Sequence, residues 1–419
     1  MRHRSFFIIW IFYSSWPAFA QTLPAAQLIR DVRLFDGEHV REHRSVLIAS
    51  GKIQWIRGPE ATEPNAQVIE GTGRTLMPGL IDAHVHMPYR AEEAARQALM
   101  LGVTTQLDMS TGQLPILKKL EIQDRPELAD LRTAGVPATV PGGHPTQMGG
   151  PPLPTLTSPD QAQAFVDARI AEGSDYIKII HDDGSTWPWT SEHVPMLNNS
   201  TMRALVNAAH RRGKLALVHV LSEQQARDAI EAGADGLAHL FLGNSVSTNF
   251  GKLASSHHVF VVPTLTALYS DCGKSPGPAI LSDPQLGPRI NDEWHGSMSM
   301  PKPDPSANRL CDAADQAVRQ LTQAGVPLLA GTDTPTPGAT YGASIHGELE
   351  LLVRNGLTPI QALVAATSAP ATAYRLSDRG RISPGKRADL LLVDGDPTIN
   401  ILDTRRIIAV WKRGFPVQR

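Results

Sequence analysis

Apolar and polar residues alternate in short runs near both ends of the chain. Near the N-terminal end, three such runs are separated by the dipeptides Asp36-Gly37 and Ser50-Gly51, which are typical of hairpin turns. Residues 380–419 return to the same short, strand-like pattern. We therefore predict that residues 21–78 and 380–419 pair into one small β-sandwich domain.

The middle of the chain, residues 79–379, alternates apolar runs with amphipathic helical patterns. One such helical pattern covers residues 158–172 and leads into the apolar run 176–180. Counting residues 131–134 as a weak third strand, the alternation gives eight strand–helix units. This pattern indicates a parallel sheet, so we predict an α/β fold with a (β/α)8 TIM-type barrel, whose chemistry sits at the carboxyl ends of its strands.

The alternation breaks down between residues 264 and 307, where prolines and glycines exclude a long helix. This stretch follows the predicted seventh strand and therefore lies on the active-site face. We expect a lid-like insertion that forms part of the substrate wall.

The first twenty residues have the pattern of a signal peptide. Residues 1–4 are basic, residues 6–16 are strongly apolar, and Ala18-Phe19-Ala20 places small residues where a signal peptidase cleaves. A membrane anchor is the weaker alternative, because the apolar run is too short to span a bilayer. We predict cleavage of residues 1–20 and export to the periplasm or the medium, with no membrane contact afterwards.

Composition narrows the class of partner. The chain has 419 residues, of which 42% are hydrophobic, so it can bury a large core. Its net charge is −2 without a basic stripe, and aromatic residues make up 5%, which argues against a nucleic-acid partner and favours a small-molecule substrate. The only two cysteines, Cys272 and Cys311, are a candidate disulfide after export, but sequence leaves open whether they are bonded. It also leaves open whether the chain is a homo-oligomer.

Candidate metal ligands stand at the ends of several predicted strands. Side chains alternate along a strand, so His84 and His86 point the same way and suit a transition metal. His219, His239 and Asp333 each end a similar apolar run. Taken singly, each histidine could instead be a core residue and Asp333 a helix cap.

Lys178 lies inside the apolar run Tyr176-Ile177-Lys178-Ile179-Ile180. A charged lysine is costly to bury, so it either reaches solvent or a salt-bridge partner, or it is desolvated and neutral. A neutral lysine can react with carbon dioxide and form a carbamate, whose two oxygens can bridge two metal ions.

These positions together resemble the amidohydrolase superfamily over essentially the whole chain after residue 20. The resemblance rests on Pro78-Gly79-Leu80-Ile81-Asp82-Ala83-His84-Val85-His86, on Lys178, His219, His239 and Asp333, and on the closing segment at residues 380–390. The most similar branch contains prolidase-like dipeptidases and imidazolonepropionase-related proteins. In that branch a Gly-Gly-His loop, here Gly142-Gly143-His144, is thought to contact the substrate carbonyl.

The resemblance implies a binuclear centre and a reaction. His84, His86 and Asp333 would hold one metal, His219 and His239 the other, and carbamylated Lys178 would bridge them. Two zinc ions are the default, with a metal-bridging hydroxide as nucleophile, Asp333 as proton shuttle and His144 at the carbonyl. The expected substrate is a dipeptide or an N-acyl amino acid, cleaved at its amide bond.

Some alternatives stay open. Asp182 and Asp183 follow Lys178 where relatives often have small residues, and they could bind a cationic substrate group or be solvated loop residues. A lactonase, a phosphotriesterase or a cyclic-amide hydrolase would use the same binuclear site. A mononuclear deaminase would not need Lys178, and a non-enzymatic barrel-fold binding protein should have lost ligands, whereas none is missing.

Overall fold

The structure is a computed structural model, and it describes residues 25–109, 119, 121–123, 125–149, 152–188, 191–299 and 309–419. The predicted signal peptide and residues 300–307 of the predicted insertion lie outside the described residues. Within them, no helix combines the length and the apolar character needed to cross a membrane.

Strands and helices alternate through the middle of the described chain, whereas strands predominate at its ends. The strands are β1 (Gln27–Phe35), β2 (Val40–Ala49), β3 (Lys52–Arg57), β4 (Gln67–Glu70), β5 (Arg74–Pro78), β6 (Leu80–Val85), β7 (Val103–Asp108), β8 (Asp130–Thr133), β9 (Ile177–Ile180), β10 (Ala216–His219), β11 (Gly236–Ala238), β12 (Phe260–Val262), β13 (Leu390–Asp394), β14 (Ile407–Lys412) and β15 (Phe415–Pro416). The α-helices are α1 (Ala91–Met100), α2 (Ala162–Glu172), α3 (Asn199–Arg211), α4 (Glu223–Glu231), α5 (Phe250–Ser256), α6 (Leu265–Asp271), α7 (Gly277–Leu281), α8 (Asp292–Met298), α9 (Asp312–Gln323), α10 (Ala343–Arg354), α11 (Pro359–Ala365) and α12 (Ser368–Ala373).

Both chain ends contribute to one sheet, in the order β15-β14-β13-β5-β1-β2-β3, with β4 paired to β1. The two ends meet where β13 runs antiparallel to β5, with Leu390 opposite Pro78. The apolar residues of this sheet, such as Ile29 and Trp411, form a core of their own. The alternating pattern at the two termini therefore reflects a shared sheet with one well-buried face.

The middle of the chain forms two parallel sheets, β6-β7-β8 and β9-β10-β11-β12. Isolated parallel bridges join the edges of these sheets: Ala138 with Ile179, Val261 with Leu328, and Val85 with Thr334. The apolar run that Asp333 ends, together with Thr334, thus contacts β12 on one side and β6 on the other, although it does not form a regular strand. The carboxyl ends of the parallel strands therefore lie on one face of the molecule.

Helix starts follow ordinary capping chemistry. The Asn198 side chain accepts a hydrogen bond from Thr201 N, 2.8 Å away, at the start of α3. Ser222 and Gln225 form a reciprocal capping box at α4. These caps fix where the helices begin relative to the strands that carry the site.

Short helices fill the described part of the predicted insertion. Residues 264–299 contain α6, α7 and α8, none longer than seven residues, as the prolines and glycines require. Cys272 and Cys311 form a disulfide with their Cα atoms 6.0 Å apart. This bond ties the end of α6 to the start of α9.

A group of charged side chains, buried except for the half-exposed Asp378 and the partly buried Arg387, joins the shared sheet to the parallel sheets. We call it the junction cluster, and its members are Asp130, Asp378, Asp389, Arg379, Arg387 and Lys412. Arg387 donates to Asp130 at 2.8 Å, and Lys412 Nζ lies 2.9 Å from the same carboxylate. Three cations thus face three carboxylates, so the cluster is electrically balanced.

Candidate metal centre

His84, in β6, and His86, which directly follows β6, both lie close to Asp333 near the other end of the chain. The Nε2 atom of His84 lies 3.1 Å, and that of His86 3.0 Å, from Oδ1 of Asp333. The backbone holds this arrangement, because Asp333 N donates to the carbonyl of His84 at 2.8 Å. The structure therefore brings together the predicted ligands that are farthest apart in sequence.

Two further histidines extend this group. His219 is the last residue of β10, and His239 directly follows β11. The ring centroid of His239 lies 4.6 Å from that of His84 and 4.5 Å from that of His219. Among the described residues, His84, His239 and Asp333 can each offer a ligand atom within 4.8 Å of the other two, which makes them a possible metal site. His86 and His219 each contact a member of this trio, Asp333 and His239 respectively, without meeting the same limit.

Several polar atoms of the trio are buried without a hydrogen-bond partner. Within the described chain, these include both ring nitrogens of His84 and Oδ1 of Asp333. The two residues are close enough for an ion pair, but their relative direction does not meet hydrogen-bond geometry. A buried polar atom without a partner costs about 1–3 kcal/mol. Imidazole nitrogens and a carboxylate oxygen are ligands that zinc prefers, so these residues fit a metal ion.

The backbone is strained at the ends of three neighbouring segments. His239, Thr264 and Asp333 have positive φ values of 74°, 48° and 58°. Such conformations cost about 1–3 kcal/mol each and gather at functional sites. Oγ1 of Thr264 lies 2.7 Å from Nδ1 of His239, which leaves Nε2 of that ring available to a ligand.

Gly331 allows the segment before Asp333 to approach β6. A Cβ atom at this position would lie 2.5 Å from Cγ1 of Val262 and 2.9 Å from the backbone nitrogen of His84. The missing side chain therefore sets the distance between the His84 and Asp333 backbones.

Burial sets the protonation states of the cluster. It lowers the pKa of His84 to about 3 and holds the pKa of His239 well below its usual value. Burial also opposes protonation of His86, but the Asp333 carboxylate, 3.0 Å from its Nε2 atom, outweighs this effect and raises the pKa of His86. Burial alone would raise the pKa of Asp333, yet its contacts with His239 and His84 keep it well below the usual value. Neutral imidazoles and an ionised carboxylate are the forms that bind metal.

Lys178 is buried in β9 and is 1% exposed. This burial excludes a lysine that reaches solvent, and the described residues provide no ion pair to its amine. Burial lowers the pKa of Lys178 to about 7, against the opposing effect of Asp333 and Asp108. A substantial fraction of the amine is therefore neutral and nucleophilic near neutral pH.

His144 lies beside the cluster. Its ring centroid is 5.1 Å from that of His219 and 5.4 Å from that of Trp187. Burial lowers the pKa of His144 to about 3, so the imidazole is neutral. The Gly142-Gly143-His144 loop thus places this side chain next to the predicted ligands.

The structure corrects the interpretation of Asp182 as a solvated loop residue. Asp182 is 1% exposed, and its Oδ2 atom lies 3.1 Å from Nε2 of His219 and 2.9 Å from Nε1 of Trp187. Burial would raise the pKa of Asp182, but these contacts hold it well below its usual value. Asp183 is half-buried and accepts from Gln225 at 3.0 Å. Local sequence cannot show this difference, because the donors come from a later loop and from α4.

The structure adds two residues, Asp108 and Glu348, that were not predicted from the sequence as part of the metal centre. Asp108 ends β7 at the same face and accepts from Thr133 at 2.6 Å. Glu348, in α10, accepts from the backbone nitrogens of Leu265 and Thr266 and so holds the segment that contains Thr264. The position of Asp108 at a strand end was a usable signal, whereas nothing near Glu348 in sequence indicates its contact.

Comparison with known proteins identifies the family. A sequence model of the Amidohydrolase family matches residues 75–419, which is more than half of the chain. The chain belongs to the amidohydrolase family. It is accordingly a hydrolytic enzyme that acts on amide bonds, as the resemblance in the sequence predicted. The family is generally metal-dependent, which agrees with the possible site at His84, His239 and Asp333.

Individual amidohydrolases are similar to this chain at low identity. An imidazolonepropionase of Deinococcus radiodurans is 26% identical over 377 residues, which cover 85% of this chain and 87% of that protein. An ochratoxinase of Aspergillus niger is 22% identical over 429 residues, covering 90% of this chain and 83% of that protein. The solved structure of a Xaa-Pro dipeptidase with bound methionine in its active site superposes with a TM-score of 0.75 at 23% identity, covering 94% of this chain and 100% of that one. The family match and this superposition indicate a TIM-type barrel fold for the amidohydrolase.

Proposed function

We propose that this amidohydrolase is an exported, binuclear metal-dependent enzyme that cleaves the amide bond of a dipeptide or an N-acyl amino acid. The proposal includes closure of the parallel sheets into one eight-stranded barrel, with the shared sheet as part of a β-sandwich. The observation that carries it is the trio His84, His239 and Asp333, in which both ring nitrogens of His84 and Oδ1 of Asp333 are buried without hydrogen-bond partners.

The ligand assignment is the one that the family resemblance implies, and the proximity of His84 and His86 to Asp333 and of His219 to His239 supports it. His84, His86 and Asp333 would hold one ion, and His219 and His239 would hold the second. Zinc suits this set of nitrogen and oxygen donors. When bound, the ions would supply Lewis acidity and a hydroxide at neutral pH.

Lys178 would join the two ion sites as a carbamate. Its neutral amine would add to the carbon of carbon dioxide and the nitrogen would release one proton to water, which leaves a group with one negative charge and two oxygens. The lowered pKa of Lys178 supports this step, because the reacting form of the amine is populated near pH 7.

Asp333 and His144 would act on the substrate. The ionised carboxylate of Asp333 can take a proton from the attacking water and return it to the leaving nitrogen. His144 is neutral, and its position beside His219 suits it to orient the scissile carbonyl. The products are a carboxylic acid and an amine.

The substrate class rests on the similar proteins, which include a dipeptidase, an ochratoxinase and an imidazolonepropionase. The last of these favours a second candidate function, cleavage of a cyclic amide. Hydrolysis of lactones or phosphotriesters would use the same binuclear metal site, so these compounds belong in the same substrate screen.

The experiment is metal analysis and a substrate screen on residues 21–419, reconstituted with Zn²⁺ and bicarbonate. We expect two ions per chain and hydrolysis of at least one dipeptide or N-acyl amino acid. A folded protein that takes up no metal under any reconstitution would refute the proposal. Hydrolysis confined to cyclic amides, lactones or phosphotriesters would refute the substrate class and keep the metal centre.

A further inference from the structure

Asp182 lies two residues beyond β9, between the metal centre and α4. Its carboxylate is buried and receives four polar contacts. On Oδ1 these are Gly184 N at 3.0 Å and Gln225 Nε2 at 3.3 Å. On Oδ2 they are Trp187 Nε1 at 2.9 Å and His219 Nε2 at 3.1 Å.

Three of the four groups that contact Asp182 act as hydrogen-bond donors to it. The backbone N–H of Gly184 and the indole N–H of Trp187 have no lone pair with which to accept a hydrogen bond. The amide of Gln225 is oriented by its other end, because its Oε1 accepts from the backbone nitrogens of Leu221 at 2.9 Å and Ser222 at 3.0 Å. Its NH₂ group therefore faces Asp182.

A protonated Asp182 could donate only to His219, and it would weaken the hydrogen bonds that three fixed donors make to an ionised carboxylate, so Asp182 is ionised and can only accept. The fourth contact must then also be a donor, which puts the proton of the His219 ring on Nε2. In a neutral imidazole this leaves the lone pair on Nδ1. Nδ1 is therefore the nitrogen of His219 that can ligate a metal ion.

We infer that Asp182 is a positioning residue that fixes the ring orientation and the tautomer of His219, so that Nδ1 is presented to the second metal ion. This role replaces the recognition of a substrate cation that the sequence suggested for Asp182. A carboxylate behind a ligating histidine typically changes metal affinity about 10- to 100-fold. The inference rests on the proposed function for the presence of that ion, but the tautomer itself is a property of the metal-free chain.

The first test uses the wild-type protein without metal. Long-range ¹⁵N–¹H correlation of ¹⁵N-histidine-labelled apoprotein distinguishes the two tautomers, and a His219→Ala variant assigns the signals. We expect His219 to carry its proton on Nε2. A proton on Nδ1 would overturn the inference, whether or not the protein binds metal and whether or not any variant folds.

The second test compares Zn²⁺ affinities, measured by competition with a chelator, for the wild type and Asp182→Asn. The amide presents an NH₂ group where only donors face it, so we expect the affinity for the second metal ion to fall by about 10- to 100-fold. Asp228→Asn is the matched control, because Asp228 lies 3.5 Å from His181, which is not a predicted ligand. It should leave both affinities unchanged.

A double-mutant cycle separates positioning from a general structural effect. If Asp182 acts through His219, Asp182→Asn should not weaken metal binding further when His219 is already alanine. An equal loss in both backgrounds would overturn the inference, as would wild-type affinity in the single variant. A wild-type protein that binds no zinc would instead count against the proposed function, while the tautomer measurement would still decide the role of Asp182.

Discussion

The junction cluster and the metal centre, two groups of charged and polar side chains in the described part of the chain, are built on opposite principles. The junction cluster balances three cations with three carboxylates in mutual contact. The junction cluster also contains buried atoms without a hydrogen-bond partner, Oδ1 of Asp130 and Nε of Arg387, but they belong to a group whose charges are balanced. In the metal centre, both ring nitrogens of His84 and Oδ1 of Asp333 lack such partners, and these are atoms that can ligate a metal ion. A balanced cluster has already satisfied its charges and acts on stability, whereas an incomplete one retains the capacity to bind something else.

The largest difference between the two groups should appear on removal of Lys178. Lys178→Ala removes the bridging group of the metal centre, so we expect amide hydrolysis to fall about 10³-fold or more. Metal content should fall with it, and the free energy of unfolding of the metal-free protein should not decrease, because the uncompensated buried amine is gone. Lys252→Ala, at an exposed position, is the control. Wild-type metal content and activity in Lys178→Ala would contradict the assigned role.

A substitution in the junction cluster should lower the free energy of unfolding rather than metal binding or activity. Asp130→Asn leaves Arg379, Arg387 and Lys412 with less negative charge, and breaking a buried ion pair costs about 3–5 kcal/mol. Urea unfolding of the metal-free proteins measures this cost, while zinc affinity should stay unchanged. Glu70→Gln, which removes an exposed pair with Arg30, should cost less than about 1 kcal/mol. Equal costs for the two variants would show that the junction cluster contributes no more than a surface pair.

Acid should weaken the junction cluster in a defined pH range. Its cations outweigh the effect of burial and hold the pKa of Asp130 well below its usual value, and they lower the pKa of Asp378 to about 2. In the unfolded chain the pKa of an aspartate is about 3.9, which is higher than in the folded protein. Unfolding therefore takes up protons below about this pH. The stabilisation is therefore complete above about pH 4 and is lost as the pH falls toward 2. The difference in unfolding free energy between the wild type and Asp130→Asn should shrink over that range, and a constant difference would contradict this assignment.

Gly331 offers a smaller perturbation of the metal centre. In Gly331→Ala the new Cβ would press on Val262 and on the backbone of His84, which costs about 1–3 kcal/mol. The shift of His84 should also weaken zinc binding. Gly296→Ala is the control, because a Cβ there meets nothing within 4 Å. Unaltered zinc affinity in Gly331→Ala would show that the backbone can yield without moving the ligand.

Sequence predicts much of this architecture, because the periodicity of the chain records which faces are buried. The alternation of strands and helices placed His84, Lys178, His219 and His239 at or near the ends of parallel strands, where the structure has them. It could not place Asp182, because two of the partners of this carboxylate, His219 and Gln225, lie 37 and 43 positions away in sequence and meet it only through the tertiary fold. For the same reason, sequence did not predict the contact between Glu348 and the segment after β12. In this contact the partners are separated by more than 80 positions along the chain. Periodicity therefore locates the ligands, whereas the groups that orient them depend on loops.

The finest distinction concerns two threonines near the start of α6. Thr264→Val removes the hydroxyl that lies 2.7 Å from Nδ1 of His239, and Thr266→Val removes one that donates to Glu348 at 3.0 Å. Both substitutions keep the shape of the side chain, and each should cost about 1 kcal/mol in unfolding free energy. Only Thr264→Val frees a predicted ligand to rotate, so it alone should lower zinc affinity, by about 10-fold. Chelator competition and urea unfolding on the two variants separate these effects. If both variants lost zinc affinity equally, the segment would act on the metal centre as a whole, and the specific contact between Thr264 and His239 would have no separate role.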